Sequence, residues 1–258
     1  MGSGRSARHS SIPLHTGIIH LMPKFHDLSE YAATIAQIID AAHVNLHAAA
    51  LRSVTDLAES SGVTPGLLVD LRFTLPLRPL TRPQLATLYR YGDAALPELD
   101  DHLREGTMTE DPGGRLRPTR EGLAFIHRLY DLHAAAAERV WAGHDLPALA
   151  NLAGRVLDSA ERVPGGALEV AAPPYEPEGT SPGVLLFNRI AALRHHRADA
   201  HATAWQAEGL TAAGIVALAD GPLRAGIEAE TNLRAAAPYR ILSADERDTL
   251  RGGLLKLV

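Results

Sequence analysis

Between Thr81 and Trp141 the chain is punctuated in an order that few folds share. Thr81 stands ahead of Arg82-Pro83, a capping hydroxyl followed by the imino residue that suits a helix's first turn. Leu85, Leu88 and Tyr89 give that segment an apolar side. Gly92 then makes a turn, Asp93 caps a second helix carrying Leu96, Leu99 and Leu103, and Gly106 stops it. Thr107–Thr109 reads as a short strand, Asp111-Pro112-Gly113-Gly114 as a tight turn, and Arg115–Pro118 as the returning strand. Thr119, with Glu121 just after it, opens a helix that runs to about Trp141.

Helix, turn, helix, hairpin, helix is the winged-helix order. The residues Leu103, Gly106, Asp111, Gly114, Arg115, Leu116, Thr119 and Gly122 fall where MarR-like regulators place the end of their recognition helix, their wing and the start of the next helix. Residues 64–142 therefore resemble a MarR-like winged-helix domain. The resemblance implies a recognition helix in the major groove, Arg115, Arg117 and Arg120 near phosphate, and a homodimer formed through terminal helices. It also implies a small anionic or aromatic metabolite held between helices.

The charge of this segment speaks against DNA. Glu98, Asp100, Asp101, Glu105, Glu110 and Asp111 lie between Ala94 and Gly114, against the single positive residue Arg104. DNA affinity rests heavily on neutralising phosphates, so a recognition helix of this sign meets repulsion before it meets a base. Arg115, Arg117 and Arg120 follow the turn rather than lie on that helix. DNA is thus an open partner, and a winged helix used only as scaffold or contact surface is the competing reading.

The remainder of the chain is helical in pattern. Residues 1–13 read as a flexible tail, and 14–63 as an N-terminal helical segment. Tyr31, Ile35, Ile38, Ile39, Ala42, Leu46 and Ala49 recur at helical spacing, with Ser29 as the cap and Gly62 as the stop. Thr64-Pro65 starts a short helix, and residues 74–83, with three prolines, read as a connector or a short extended segment. The C-terminal helical segment, 143–258, is interrupted by the Pro/Gly-rich stretch 163–183, which reads as a linker, a long ordered loop or a lid. A strong helix over 184–208 follows, then shorter ones near 211–219, 221–236 and 243–257. The expected fold class is mainly α, a winged helix with a small β-hairpin wing embedded in a helical, dimeric architecture.

Cysteine is absent from the 258 residues, which removes disulfides, thiolate metal sites and cysteine nucleophiles. The N-terminal residues lack an apolar signal core and no long apolar run occurs, so a cytoplasmic protein without a membrane span is expected. No Walker or Rossmann glycine loop, G-x-S-x-G elbow or HExxH motif is present, so hydrolase and nucleotide chemistry have no positive support.

Histidine is the unusual residue, with 13 copies. Its most telling stretch is residues 185–209. At 100° per residue, Leu186, Ile190, Leu193, Arg197, His201 and Ala204 share a face, with Arg194 at its edge. An arginine buried on such a face needs an anion, supplied either by a protein carboxylate or by a ligand. Arg194, Arg197 and His201 are therefore the candidate ligand-binding residues, and His201, His196 and Asp199 the candidate acid–base groups. His195 and Asp199, one turn apart on the opposite face, read as a solvated pair or as two metal ligands. His43 and His47 share that spacing, and two helices each offering two ligands would clamp a divalent metal. His20 and His26 bracket Met22-Pro23 on an irregular arm.

Leu193, Arg194, His196, Arg197, Asp199, His201, Gly209 and Leu210 also resemble a segment of poorly characterised helix-turn-helix proteins from high-GC bacteria, in which the winged helix follows this segment rather than precedes it. That resemblance implies a polar site on this helix and no reaction. Two functions stand at this point: a MarR-like protein that binds a small metabolite between helices, and an enzyme that keeps the winged helix for packing and uses histidine and arginine for acid–base or metal chemistry. A third is an interaction module whose contact face is the acidic helix near 94–105.

Overall fold

The computed structural model describes residues 27–92 and 95–258. The expected N-terminal tail, His20 and His26, and Asp93 as a cap lie outside them. The described chain is mainly helical, with one small antiparallel sheet. Helix α1 (Leu28–Ser61) leads to α2 (Gly66–Asp70), strand β1 (Leu80–Thr81), α3 (Arg82–Leu88), α4 (Ala95–Glu105), β2 (Met108–Glu110), β3 (Arg115–Pro118) and α5 (Arg120–Val140). Then come α6 (Leu146–Ser159), α7 (Ala167–Ala171), α8 (Pro182–Ala207), α9 (Ala212–Ala217), α10 (Pro222–Ala235), a 3-10 turn (Ala237–Ile241) and α11 (Ala244–Leu255).

Local chemistry sets most of these boundaries. Asp27, not Ser29, caps α1: its carboxylate accepts from the backbone N–H of Ser29 and Glu30 and from the Ser29 hydroxyl, so serine serves the cap from inside the first turn. Gly62 ends α1 at φ 64°, a left-handed conformation that suits glycine. Thr81 and Gln84 form a reciprocal capping box on α3, and the Thr119 hydroxyl caps α5 through Gly122 N–H.

The sheet runs β1-β3-β2, all antiparallel. Leu80 pairs with Leu116, and Met108 with Pro118. Leu80, Met108 and Leu116 turn into the core. Of the two readings of the proline-rich 74–83 segment, the extended one holds at its end. Its last residues add a strand to the edge that the hairpin leaves open, a pairing across 35 or so residues that local spacing does not encode.

Helix α8 is the central rod. It packs against α1, α5, α6, α7 and α10, and buries Leu186, Phe187, Ile190 and Leu193. A smaller apolar cluster sits at its C-terminal end, where Ala202, Ala204 and Trp205 meet Ile215 and Ile227. The 163–183 stretch is pinned rather than free. Within it α7 buries Ala167, Leu168, Val170 and Ala171 against α8. Arg78 donates to the carbonyls of Val170, Ala172 and Pro173 at 3.1, 2.7 and 2.6 Å, and Tyr175 N–H donates to Phe73 O at 2.6 Å. Proline and glycine masked a helix whose N–H groups find their acceptor on another element. No helix among the described residues is long and apolar enough to cross a membrane.

Candidate functional site: an unpaired arginine beneath a polar cavity

Helix α8 presents different side chains to separate clefts, and sorting these shows where the chemistry lies. Asp199 is 4% exposed and fully engaged. Its two oxygens accept from Ala167 N–H and Leu168 N–H at 2.8 Å each, and Oδ1 pairs with Arg90 at 2.6 Å. It is the missing N-terminal cap of α7, not a solvated partner of His195. The four-ligand clamp of His43, His47, His195 and Asp199 therefore does not assemble. Among the described residues no group of three or more histidines and carboxylates is disposed to hold a metal.

Arg194, Arg197, His196 and His201 do come together, around a cavity of about 300 Å³ between α1, α8 and α10. The anion required by Arg197 is the protein's own: its guanidinium donates to Asn232 Oδ1 at 2.8 Å and to Glu228 at 3.1 Å. Arg194 pairs with Asp40 at 2.6 Å and donates to His43 Nδ1 at 3.2 Å. His201 Nδ1 meets the Tyr91 hydroxyl at 2.9 Å, and that hydroxyl accepts from the Trp205 indole at 3.1 Å. The two arginines are thus partnered within the protein, while His196 Nε2 and His201 Nε2 are buried without a hydrogen-bond partner.

Arg72, by contrast, is fully buried and has no anion within ion-pair distance among the described residues. It is 1% exposed, in the turn that follows α2. One Nη donates to Val69 O at 2.9 Å, while Nε and the other Nη have no hydrogen-bond partner. The guanidinium lies 4.0 Å over the Phe187 ring and 5.4 Å from that of Phe73. A cation–π contact of this kind offsets about 2 kcal/mol of lost hydration, short of the several kcal/mol that burying an ion costs. Burial lowers the guanidinium's pKa to about 10, so it stays a cation at neutral pH. Thr74, His133 and Asn188 around it are each 0% exposed and each leave a polar atom unpartnered, so this part of the interior is unusually polar for its depth.

Arg72 lines a cavity of about 290 Å³ with His43 and His47 from α1, Asp70 and Phe73 beside it, Tyr89 after α3, and Arg194 and His195 from α8. Phe187, fully buried, packs behind this wall. His43 stacks on it at 4.9 Å, His47 and His133 approach it edge-on or tilted at the same distance, and His43 and His47 lie 4.6 Å apart. The tautomers follow from the partners. Arg194 can only donate, so neutral His43 accepts at Nδ1 and carries its proton on Nε2. His133 faces the Leu129 carbonyl at 2.8 Å, so its proton sits on Nδ1. Burial, then the nearby Arg72 charge, holds His47 down to about 3; burial and Arg194 hold His195 at about 4. The same burial and charge keep His43 and His133 well below the ordinary histidine range. All four are neutral at pH 7, and none neutralises Arg72.

Sequence reasoning found His43, His47, Arg194 and His195, which line this cavity, but not Arg72, Asp70, Tyr89 or Phe187. A signal existed. In GLLVDLRFTLPL, Arg72 interrupts an apolar run, and the demand for an anion applied to Arg197 applies there with greater force. Comparison with protein-family models, with curated proteins and with solved structures finds no match to this chain.

On the sheet side, Arg115, Arg117 and Arg120 are exposed, Arg120 pairing with Glu121 at 3.3 Å. The outer face of α4 shows Asp100, Arg104 and Glu105, and Glu110 is held bidentately by Arg82.

Proposed function

We propose that this protein binds a small organic anion, with its carboxylate or equivalent group on Arg72, in the cavity between α1, the turn after α2 and α8. One observation carries the reading: a buried guanidinium with two unpartnered donor atoms, on a residue that lines a cavity whose histidines are neutral. A bidentate carboxylate satisfies such donors, and a buried charge left alone is otherwise hard to account for. The imidazole, phenyl and phenol rings of the wall favour a ligand with an aromatic or branched apolar portion.

The scaffold reading is a MarR-like winged helix formed by residues 64–142. The element order β1, α3, α4, β2, β3, α5 and the strand order β1-β3-β2 support it. The acidic outer face of α4 favours a winged helix that does not grip DNA through this helix. An enzymatic role is the weaker alternative, because Asp199 is tied to α7 and Arg90 and burial lowers the basicity of His196 and His201.

The test is thermal denaturation against a panel of carboxylates, with Arg72→Met and Arg197→Ala alongside. A ligand at one hundred times its Kd stabilises by about 2.7 kcal/mol. Expected is a carboxylate that raises the midpoint of the wild type and of Arg197→Ala, but not of Arg72→Met. Stabilisation that survives Arg72→Met contradicts the assignment.

A further inference from the structure

The cavity has a second fixed charge, of opposite sign and at the opposite depth. Asp70, two residues before Arg72, is exposed and is the one carboxylate among the described residues lining that cavity. The Tyr89 hydroxyl donates to its Oδ2 at 3.1 Å, and its Oδ1 has no hydrogen-bond partner among the described residues. Burial pushes the Tyr89 hydroxyl well above the ordinary tyrosine range, so it remains a donor and holds the carboxylate in place. Arg194, the other cation of the wall, is already neutralised by Asp40. The net field along the cavity therefore runs from an unpaired cation at the buried end to an anchored anion at the rim.

We infer that the ligand is a zwitterion of the amino-acid class, carboxylate inward on Arg72 and ammonium outward on Asp70, with its side chain against Phe73, Leu88 and the imidazole rings. This rests on the anion reading and sharpens it. A plain carboxylate satisfies Arg72 but places its apolar body beside Asp70 with nothing to donate to the free Oδ1. An ammonium placed there answers the second charge, and the two residues on one short turn set both contacts from a single backbone segment. Glu98, at the start of α4, stands close enough to Asp70 to have its own pKa raised, after burial, by that charge, which deepens the negative potential at the rim.

Calorimetric titration at pH 7 separates the two claims. The probes are L-phenylalanine and L-leucine, their deaminated counterparts 3-phenylpropanoate and 4-methylpentanoate, and phenethylamine, which lacks the carboxylate. Wild type, Arg72→Met and Asp70→Asn are compared. Expected is at least one amino acid binding about tenfold or more tighter than its deaminated acid. Asp70→Asn should collapse that ratio towards one while leaving the acid's own affinity intact, and the amine alone should not bind. Equal affinity of acid and amino acid in the wild type, lost in both cases with Arg72→Met, overturns the zwitterion inference and leaves the anion site standing. Binding of none of the acids or amino acids, or binding indifferent to Arg72→Met, overturns both.

Discussion

Replacing Arg72 by methionine should stabilise the ligand-free protein, the reverse of what removing a buried, partnered arginine does. Methionine is two atoms shorter but keeps an unbranched apolar stem whose sulfur makes a favourable ring contact. What disappears is the buried charge. Holding that guanidinium at about 10 instead of the ordinary 12.5 corresponds to about 3 kcal/mol of net penalty, burial outweighing the attraction of Tyr130 and Asp70. Against it stand one hydrogen bond to Val69 O and the ring contact, each worth about 1–2 kcal/mol, the second kept in part by methionine. The expected gain is about 0.5–2 kcal/mol, which in a chain of this size raises the thermal midpoint by about 2–4 °C per kcal/mol. Urea unfolding followed by far-UV circular dichroism measures it directly, with the slope m checked for constancy. A loss of more than about 2 kcal/mol would refute the reasoning, because breaking a buried pair costs about 3–5 kcal/mol and would reveal a partner for Arg72. The gain in stability should come with loss of ligand binding, a trade often met at functional sites.

Other consequences concern the histidine wall, the anchoring of α7 and the sheet. His47 and His195 titrate in the folded protein near 3 and 4, below the ordinary 6.5, so the unfolded chain binds protons first as pH falls. Their contribution is fully present above pH 6.5 and is lost between 6.5 and about 4 for His195 and about 3 for His47, at about 2 kcal/mol for each histidine by pH 5. His47→Gln should flatten the pH dependence of the urea midpoint over that window; an unchanged slope counts against the half-buried, neutral assignment. Asp199→Ala strips α7 of its acceptor and leaves Arg90 without a carboxylate, an expected loss of about 3–5 kcal/mol read by urea unfolding. A loss below 1 kcal/mol would mean that Asp199 is solvated after all. At Gly122 an added Cβ would collide with the Thr107 backbone carbonyl, so Gly122→Ala should cost about 1–3 kcal/mol, whereas Gly92→Ala meets open space and should be near neutral.

Much of the architecture was legible because its signals are local. Gly62, Thr81, Gly106 and Thr119 each mark a boundary with the residue type that the backbone there requires. The hairpin is announced by Asp111, whose carboxylate accepts from Gly113 and Arg115 N–H across the turn. What escaped was non-local. Strand β1 exists because β3 offers it an edge, and α7 exists within a Pro/Gly-rich stretch because Asp199, more than thirty residues away, accepts its first N–H groups. The site divided the same way. His43, His47 and His195 were singled out by spacing, but the metal role attached to them needed Asp199, which the fold spends on α7. Helical periodicity marked Arg197 as an arginine in need of an anion, from the protein or from a ligand, and the structure supplies it from the protein as Glu228. Arg72 lies in a short irregular turn, where no period exists to predict its burial.

The most direct measurement is the NMR signal of the Arg72 Nε–H group, followed during titration with an aromatic carboxylate and assigned by its absence in Arg72→Met. A buried, unpartnered Nε–H that meets a carboxylate should show a large, saturable shift with slowed solvent exchange, while the Arg197 signal, already tied to Asn232 and Glu228, barely moves. A titration that shifts Arg197 or Arg194 and leaves Arg72 untouched would contradict the assignment of this cavity as the binding site.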